Sequence, residues 1–354
     1  MPKVLQKTPA SLGYSFPPEW HPHTATWFSW PRPEGISFPD KYHTVPANLA
    51  AIMREVVGRE QVHINVPNGN WEYIVRGQLK ENGCPNRNVY FHHIKTNESW
   101  CRDHGPAFVI RKKGKKTEAA IVDWGFNAWG GKYPPYDDDD AVPTRIAEEL
   151  KLPVCYPKIV MEGGAVDFNG KGTILTTESC LLNKNRNPRL SKKQIEGYLK
   201  GYYGQEQVLW LGEGIAGDDT DGHIDDLARF INPTTIVTAV EDDPKDENYG
   251  ILRDNLKRLQ VLKDQDGKQF QIVKLPMPGR IEHEKQRLPA TYINFYFING
   301  ALLVPIYGNK QLDRRALAIL QEHLPKHKVI GIDCTKLIWG LGAIHCLTQQ
   351  QPSF

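Results

Sequence analysis

Short apolar runs alternate with longer stretches of helical periodicity along this chain. Residues 62–66 alternate apolar and polar, the period of a strand with one buried face, and residues 236–240, 302–304 and 329–332 are compact apolar runs. Leu49, Ile52, Met53 and Val56 fall on one helical face, as do Leu252, Leu256 and Leu259. Ser191 followed by Gln194 predicts a capping box that opens a helix carrying Ile195 and Leu199, and residues 312–320 predict another helix. Strands and helices therefore alternate over the whole length, which predicts an α/β fold. The pattern admits either a radial repeat of diverged units or a doubly wound sheet.

No low-complexity linker divides the chain, so residues 1–354 are expected to form a single domain. The nearest candidate linker is residues 132–140, with two prolines and the run Asp137–Asp140. That run reads as an exposed acidic loop leading into a helix at Pro143, with a cation site as the alternative.

Bulk properties narrow the class. The 354 residues are 40 % hydrophobic and 24 % charged, enough apolar surface for a large core. No stretch approaches the ~20 consecutive apolar residues of a membrane span, and the first residues lack the apolar centre of a secretory signal. The net charge of +3, from 44 basic and 41 acidic residues, gives no basic stripe to attract nucleic acid. Six scattered cysteines without a C-x-x-C pair read as free thiols. The expectation is a soluble, cytoplasmic chain that binds neither membrane nor nucleic acid. Homo-oligomers are left open.

Four segments set reactive side chains among glycines: Trp100-Cys101-Arg102-Asp103-His104-Gly105, Glu162-Gly163-Gly164-Ala165, Gly217 through Asp226 with His223 and Asp225, and Gly340 through Cys346. Glycine lets the backbone turn sharply and approach a ligand, so these are candidate functional loops. Singly each has a bland reading: a lone cysteine is more often a small buried hydrophobe, and an acid beside glycines is more often a solvated turn. A metal set of Asp221, His223 and Asp225 with Asp103 is a competing arrangement. Together the segments supply one thiol, one histidine and several carboxylates.

The chain resembles the agmatine deiminases and bacterial peptidylarginine deiminase-like proteins of the guanidino-group-modifying superfamily. The resemblance runs through Pro18-Glu19-Trp20, Phe126-Asn127-Ala128-Trp129-Gly130-Gly131, Thr176-Thr177-Glu178-Ser179-Cys180-Leu181-Leu182-Asn183, Asn185-Arg186-Asn187-Pro188 and Ile344-His345-Cys346, ending in Gln349-Gln350-Gln351-Pro352. It implies a five-bladed α/β propeller with pseudo-fivefold symmetry, each unit averaging about seventy residues. It implies Cys346 as nucleophile, His223 as general acid/base, and Glu162 as the carboxylate orienting His223. Asp103 and Asp225 would grip a guanidinium, and Trp100 and Trp129 would line the substrate channel. The implied reaction is hydrolysis of agmatine to N-carbamoylputrescine and ammonia through a cysteine S-alkylthiouronium, which requires no redox or metal cofactor. Peptidyl or free arginine is the alternative substrate; an amidinotransferase or a non-catalytic binding propeller lies further off.

Three positions depart from the family pattern. Ala165 replaces a hydroxyl, amide or, in arginine deiminases, an aspartate, which would remove a polar handle near the substrate. Residues 340–343 read Gly-Leu-Gly-Ala where the family commonly has Gly-Gly-Gly-Asn, and Asp226 stands where many relatives have asparagine. His345, beside Cys346, is expected to point to the opposite side and to be structural background.

Overall fold

The computed structural model describes residues 1–38 and 40–354. Its fold is mixed α/β, built from six small sheets, of which five follow one plan. In each of the five a first strand lies antiparallel to a second. A helix then returns the chain to a third strand lying parallel to the second.

The plan is clearest in the middle of the chain. Strand Ala228–Asn232 pairs antiparallel with Thr235–Val240, helix Asn248–Val261 crosses over, and Gln271–Pro276 pairs parallel with the second strand. The same order holds for Ala107–Lys113, Lys116–Val122, helix Val142–Leu150 and Val154–Cys155. It recurs with helix Lys192–Tyr203 between Thr173–Thr177 and Gln207–Leu211, and with helix Lys310–His323 between Ala301–Ile306 and Lys328–Asp333. These last two units open on strands Val166–Phe168 and Tyr296–Ile298.

The fifth unit joins the two ends of the chain. Strand Gln349–Pro352 lies antiparallel to His23–Ser29, with Thr26 opposite Gln350, and helix Val45–Val57 leads to the parallel strand Gln61–Asn65. A second helix, Gly69–Glu81, adds a fourth strand, Val89–His92.

The local chemistry explains these elements. Leu49, Ile52, Met53 and Val56 are buried on one side of their helix, as their spacing predicts. The Ser191/Gln194 box closes in both directions, satisfying backbone donors that the first turn leaves free. The acidic run departs from expectation. Asp137–Asp140 is one helical turn in which Asp139 is buried, accepting the backbone N–H of Asn97 at 2.8 Å and facing His104 at 3.1 Å. Asp140 accepts the N–H of Phe126 at 2.6 Å. Those donors would otherwise be unpaired, so the run's inner carboxylates serve the backbone beside the site.

Among the described residues all six cysteines are free, and no helix is long and apolar enough to cross a membrane. A buried ion network ties the units together behind the site. Arg229, fully buried, meets Glu19 at 2.8 Å and Asp167 at 3.0 Å and donates to the carbonyl of Phe295 at 2.6 Å. Arg102 and His345 complete it on Glu19. Burial alone would raise the Glu19 carboxyl, but Arg229 and His345 hold it well below the usual range.

Candidate active site

The chemistry-bearing residues share a position in the fold: each lies in the segment leading into the first strand of its unit. Asp103 sits on the turn Cys101–His104 ahead of Ala107–Lys113, and Glu162 precedes the turn Gly163–Ala165 ahead of Val166–Phe168. His223 and Asp225 flank the start of the turn Ile224–Asp226 ahead of Ala228–Asn232. Cys346 directly precedes Gln349–Pro352. Four equivalent loops thus converge, and the five predicted residues Asp103, Glu162, His223, Asp225 and Cys346 come together.

Their separations are those of one site. His223 Nδ1 lies 3.7 Å from Asp103 Oδ1 and 4.0 Å from Asp225 Oδ1, while its Nε2 faces Glu162 Oε2 at 3.8 Å. Cys346 Sγ is 3.9 Å from Asp225 Oδ2. Gly164 is required by this convergence: a Cβ there would stand 2.6 Å from His223 Nδ1, 2.8 Å from Asp103 Oδ1 and 3.0 Å from Asp225 Oδ2. Its backbone N–H also donates to Asp103 Oδ1 at 2.9 Å.

Trp100 and Trp129 reach the site in different ways. Trp100 packs over Gly340 and Gly342, where any Cβ would collide with its ring, and its indole N–H donates to Ser37. Trp129 has left-handed backbone, φ 54°, as does Ala128 at φ 50°. Non-glycine residues adopt that region at a cost of about 1–3 kcal/mol. Here it brings the indole N–H to 3.0 Å from Asp103 Oδ2. Leu341, in place of a family glycine, is likewise left-handed at φ 69°.

A cavity of about 270 Å³ opens above Asp103 and Cys346. Trp100, Trp129, Trp339 and Leu288 form apolar walls, and Asp219 and Glu284 stand among the lining residues. Among the described residues no lysine or arginine lines it, and His283 is its one basic side chain. His223, Asp225 and Glu162 lie below its floor, each at most 1 % exposed.

Burial pushes the Cys346 thiol well up, and Asp225, Asp226 and Asp103 push it further. Burial opposes charge on His223, but the Asp103 carboxylate and the contact with Glu162 hold its pKa well above the usual value. Burial raises Asp103 as well, against the pull of His223. Glu162 ends below its ordinary value despite burial, because His223 and Arg186 stabilise its charge.

Several contributors escaped the sequence reading. Arg186 donates from Nε to Glu162 Oε1 at 2.8 Å and from Nη2 to the Thr220 carbonyl at 2.8 Å. It also pairs with Asp221, which accepts from Lys132 at 2.9 Å. Asp221 is therefore turned to protein cations and does not join His223 and Asp225 in a metal set. Glu162, Cys180 and His223 do bring one donor atom each within 4.8 Å of one another, with Arg186 supplying the neighbouring positive charge. The Arg186 and Cys180 motifs were visible in the sequence, but nothing local assigned them a partner.

Two expectations need correction. His345 is not background: the segment is a turn rather than a strand, and its buried ring bridges Asp225 Oδ2 at 2.6 Å and Glu19 Oε2 at 2.8 Å. That bridge keeps Asp225 below its usual pKa against its burial. Ala165 is not near the cavity wall: it is fully buried in an apolar cluster with Val166, Phe168 and Tyr203.

Residues 15–352 match the family model of the Porphyromonas-type peptidyl-arginine deiminases. The agmatine deiminase of Medicago truncatula is 35 % identical over 99 % of both chains. The solved agmatine deiminase of Enterococcus faecalis superposes with a TM-score of 0.92 at 32 % identity, covering 99 % of each chain. A substrate-bound agmatine deiminase from C. jejuni gives 0.86 at 33 % identity, covering 96 % of each. With site geometry and full-length similarity in agreement, the chain belongs to the Porphyromonas-type peptidyl-arginine deiminase family.

Proposed function

We propose that this protein is an agmatine deiminase. The observation that carries the choice of substrate is the cavity's charge: Asp103, Asp219 and Glu284 line it, and among the described residues the one base there is His283, 3.7 Å from Glu284. A guanidinium at one end and an ammonium at the other suit such a lining. Free arginine would bring its carboxylate into a lining where three carboxylates outnumber the single base His283.

Asp103 and Asp225 hold the planar guanidinium by charge-assisted hydrogen bonds, fixing its carbon beside Cys346 Sγ. The bound cation offsets the carboxylates that oppose thiolate formation. The thiolate adds to the guanidinium carbon, and His223 gives its Nδ1 proton to the departing nitrogen as the C–N bond breaks, releasing ammonia. The Glu162 carboxylate, 3.8 Å from Nε2 on the far side of the ring, favours the charged imidazole and leaves Nδ1 toward the substrate. His223 then takes a proton from water, whose oxygen attacks the same carbon. The C–S bond breaks as the added hydroxyl gives up its proton to water, freeing thiolate and neutral N-carbamoylputrescine.

The ammonium end falls to Asp219, which Tyr133 holds in place by hydrogen bond, with indole faces beside the tetramethylene chain. The five equivalent units support a five-bladed α/β propeller formed by one domain, residues 1–354, with the site at the meeting point of their entrance loops.

Ammonia release measured side by side from agmatine, free arginine and a peptide with internal arginine tests the reading. Agmatine should exceed arginine in kcat/KM by at least ~10²-fold. Efficient citrulline formation in the peptide with slow turnover of agmatine would make the protein a peptidylarginine deiminase instead.

A further inference from the structure

Four of the five units place a titratable side chain ahead of their first strand; the unit opening on Tyr296–Ile298 places Asn294 there. Asn294 is buried, 1 % exposed, and its amide is fully engaged. Oδ1 accepts the backbone N–H of His345 at 3.0 Å and, more weakly, that of Cys346 at 3.4 Å. Nδ2 donates to Asp226 Oδ1 at 3.0 Å and to Cys346 Sγ at 3.1 Å. Backbone N–H groups only donate, so the oxygen must face them and the nitrogen must face the sulfur. Asp226 takes the second N–H and prevents the amide from rotating away.

Three carboxylates surround Cys346 and disfavour charge on its sulfur. Among the described residues Asn294 is the one side chain that donates a hydrogen bond to that sulfur. An N–H aimed at a sulfur is worth most when the sulfur is anionic. From this geometry we propose that Asn294 is a positioning residue that holds Cys346 as a thiolate and, through Oδ1, fixes the loop presenting it. The inference rests on Cys346 being the nucleophile, as in the mechanism above.

The experiment compares wild type, Asn294→Ala and Asn294→Asp. The alanine removes the N–H facing sulfur without adding charge, whereas the aspartate keeps an oxygen for both backbone donors and sets a further carboxylate against the sulfur, so a shift in both variants, larger for the aspartate, separates the lost hydrogen bond from loop anchoring. The rate of iodoacetamide alkylation against pH is read without substrate, with thermal melting recorded for each variant. Cys346→Ala identifies the labelled thiol. Both variants should shift the alkylation profile alkaline by about one pH unit or more, and kcat should fall about 10- to 100-fold with KM within about threefold. If Asn294→Ala melts early, its profile is read at a temperature where it remains folded. A profile for Asn294→Ala or Asn294→Asp that superimposes on wild type overturns the proposal. Because alkylation needs no agmatine, a shifted profile in a protein that spares agmatine keeps this inference and removes the substrate assignment.

Discussion

Gly164→Ala tests whether the three groups around His223 share one crowded point. The added methyl carbon would begin 2.6 Å from His223 Nδ1, 2.8 Å from Asp103 Oδ1 and 3.0 Å from Asp225 Oδ2, against ordinary contacts above about 3.4 Å. Relief requires shifts of roughly half an ångström or more, shared among groups that are each otherwise held. Asp103 is tied to Trp129, and Asp225 to His345. Overpacking of this kind costs about 1–3 kcal/mol of stability, and displacement approaching 1 Å in a reacting group costs about 10²-fold in rate. The variant should therefore fold, melt a few degrees lower, and lose at least ~10² in kcat/KM. Gly197→Ala is the matched control. It lies exposed in helix Lys192–Tyr203 with nothing within 4 Å of its added carbon, and should gain about 0.5–1 kcal/mol with unchanged turnover. Initial-rate kinetics on agmatine with thermal melts of both variants decide the matter. A Gly164→Ala protein within threefold of wild-type kcat/KM would refute the convergence.

Cys346→Ala should reduce turnover by at least ~10³-fold with little change in melting temperature, checked by ammonia release. Asp219→Asn should raise KM for agmatine about 10-fold or more while kcat changes little, and should narrow the preference over arginine; steady-state kinetics on both substrates measure it. His223 has a folded pKa above its unfolded value, so its ion pairing stabilises the fold fully below about pH 6.5 and fades as pH rises through the folded value. Melting curves of His223→Gln against pH should accordingly show a shallower decline on the alkaline side than wild type.

What was legible in the sequence was what neighbouring residues determine together. The Leu49–Val56 face and the Ser191/Gln194 box follow from spacing within one or two turns, and both formed. The acidic run was misjudged because the donors that bury Asp139 lie about forty residues earlier, at Asn97 and Glu98. Asn294 was hidden for the same reason. It sits in an apolar run that reads as strand, while its partners are 68 residues before it and 52 after it. The left-handed backbone of Trp129 was equally invisible. Aromatic residues rarely adopt it, and only the tie to Asp103 rationalises it.

The pairing of Gln349–Pro352 with His23–Ser29 has a kinetic consequence. Trp27 Nε1 donates to Gln351 Oε1 across 324 positions of sequence, so this sheet is the most non-local contact in the molecule's architecture. Loop-closure entropy makes such contacts late ones, whereas a strand–strand–helix–strand unit can assemble from nearby residues. Cys346 precedes that last strand, and its carbonyl is held by the N–H of Arg102 at 3.1 Å. A chain with four units already packed would thus hold Asp103, Glu162 and His223 near their final places while its thiol still lacked a seat. Recovery of activity during refolding then reports the closing of the ring itself, trailing the recovery of helix content.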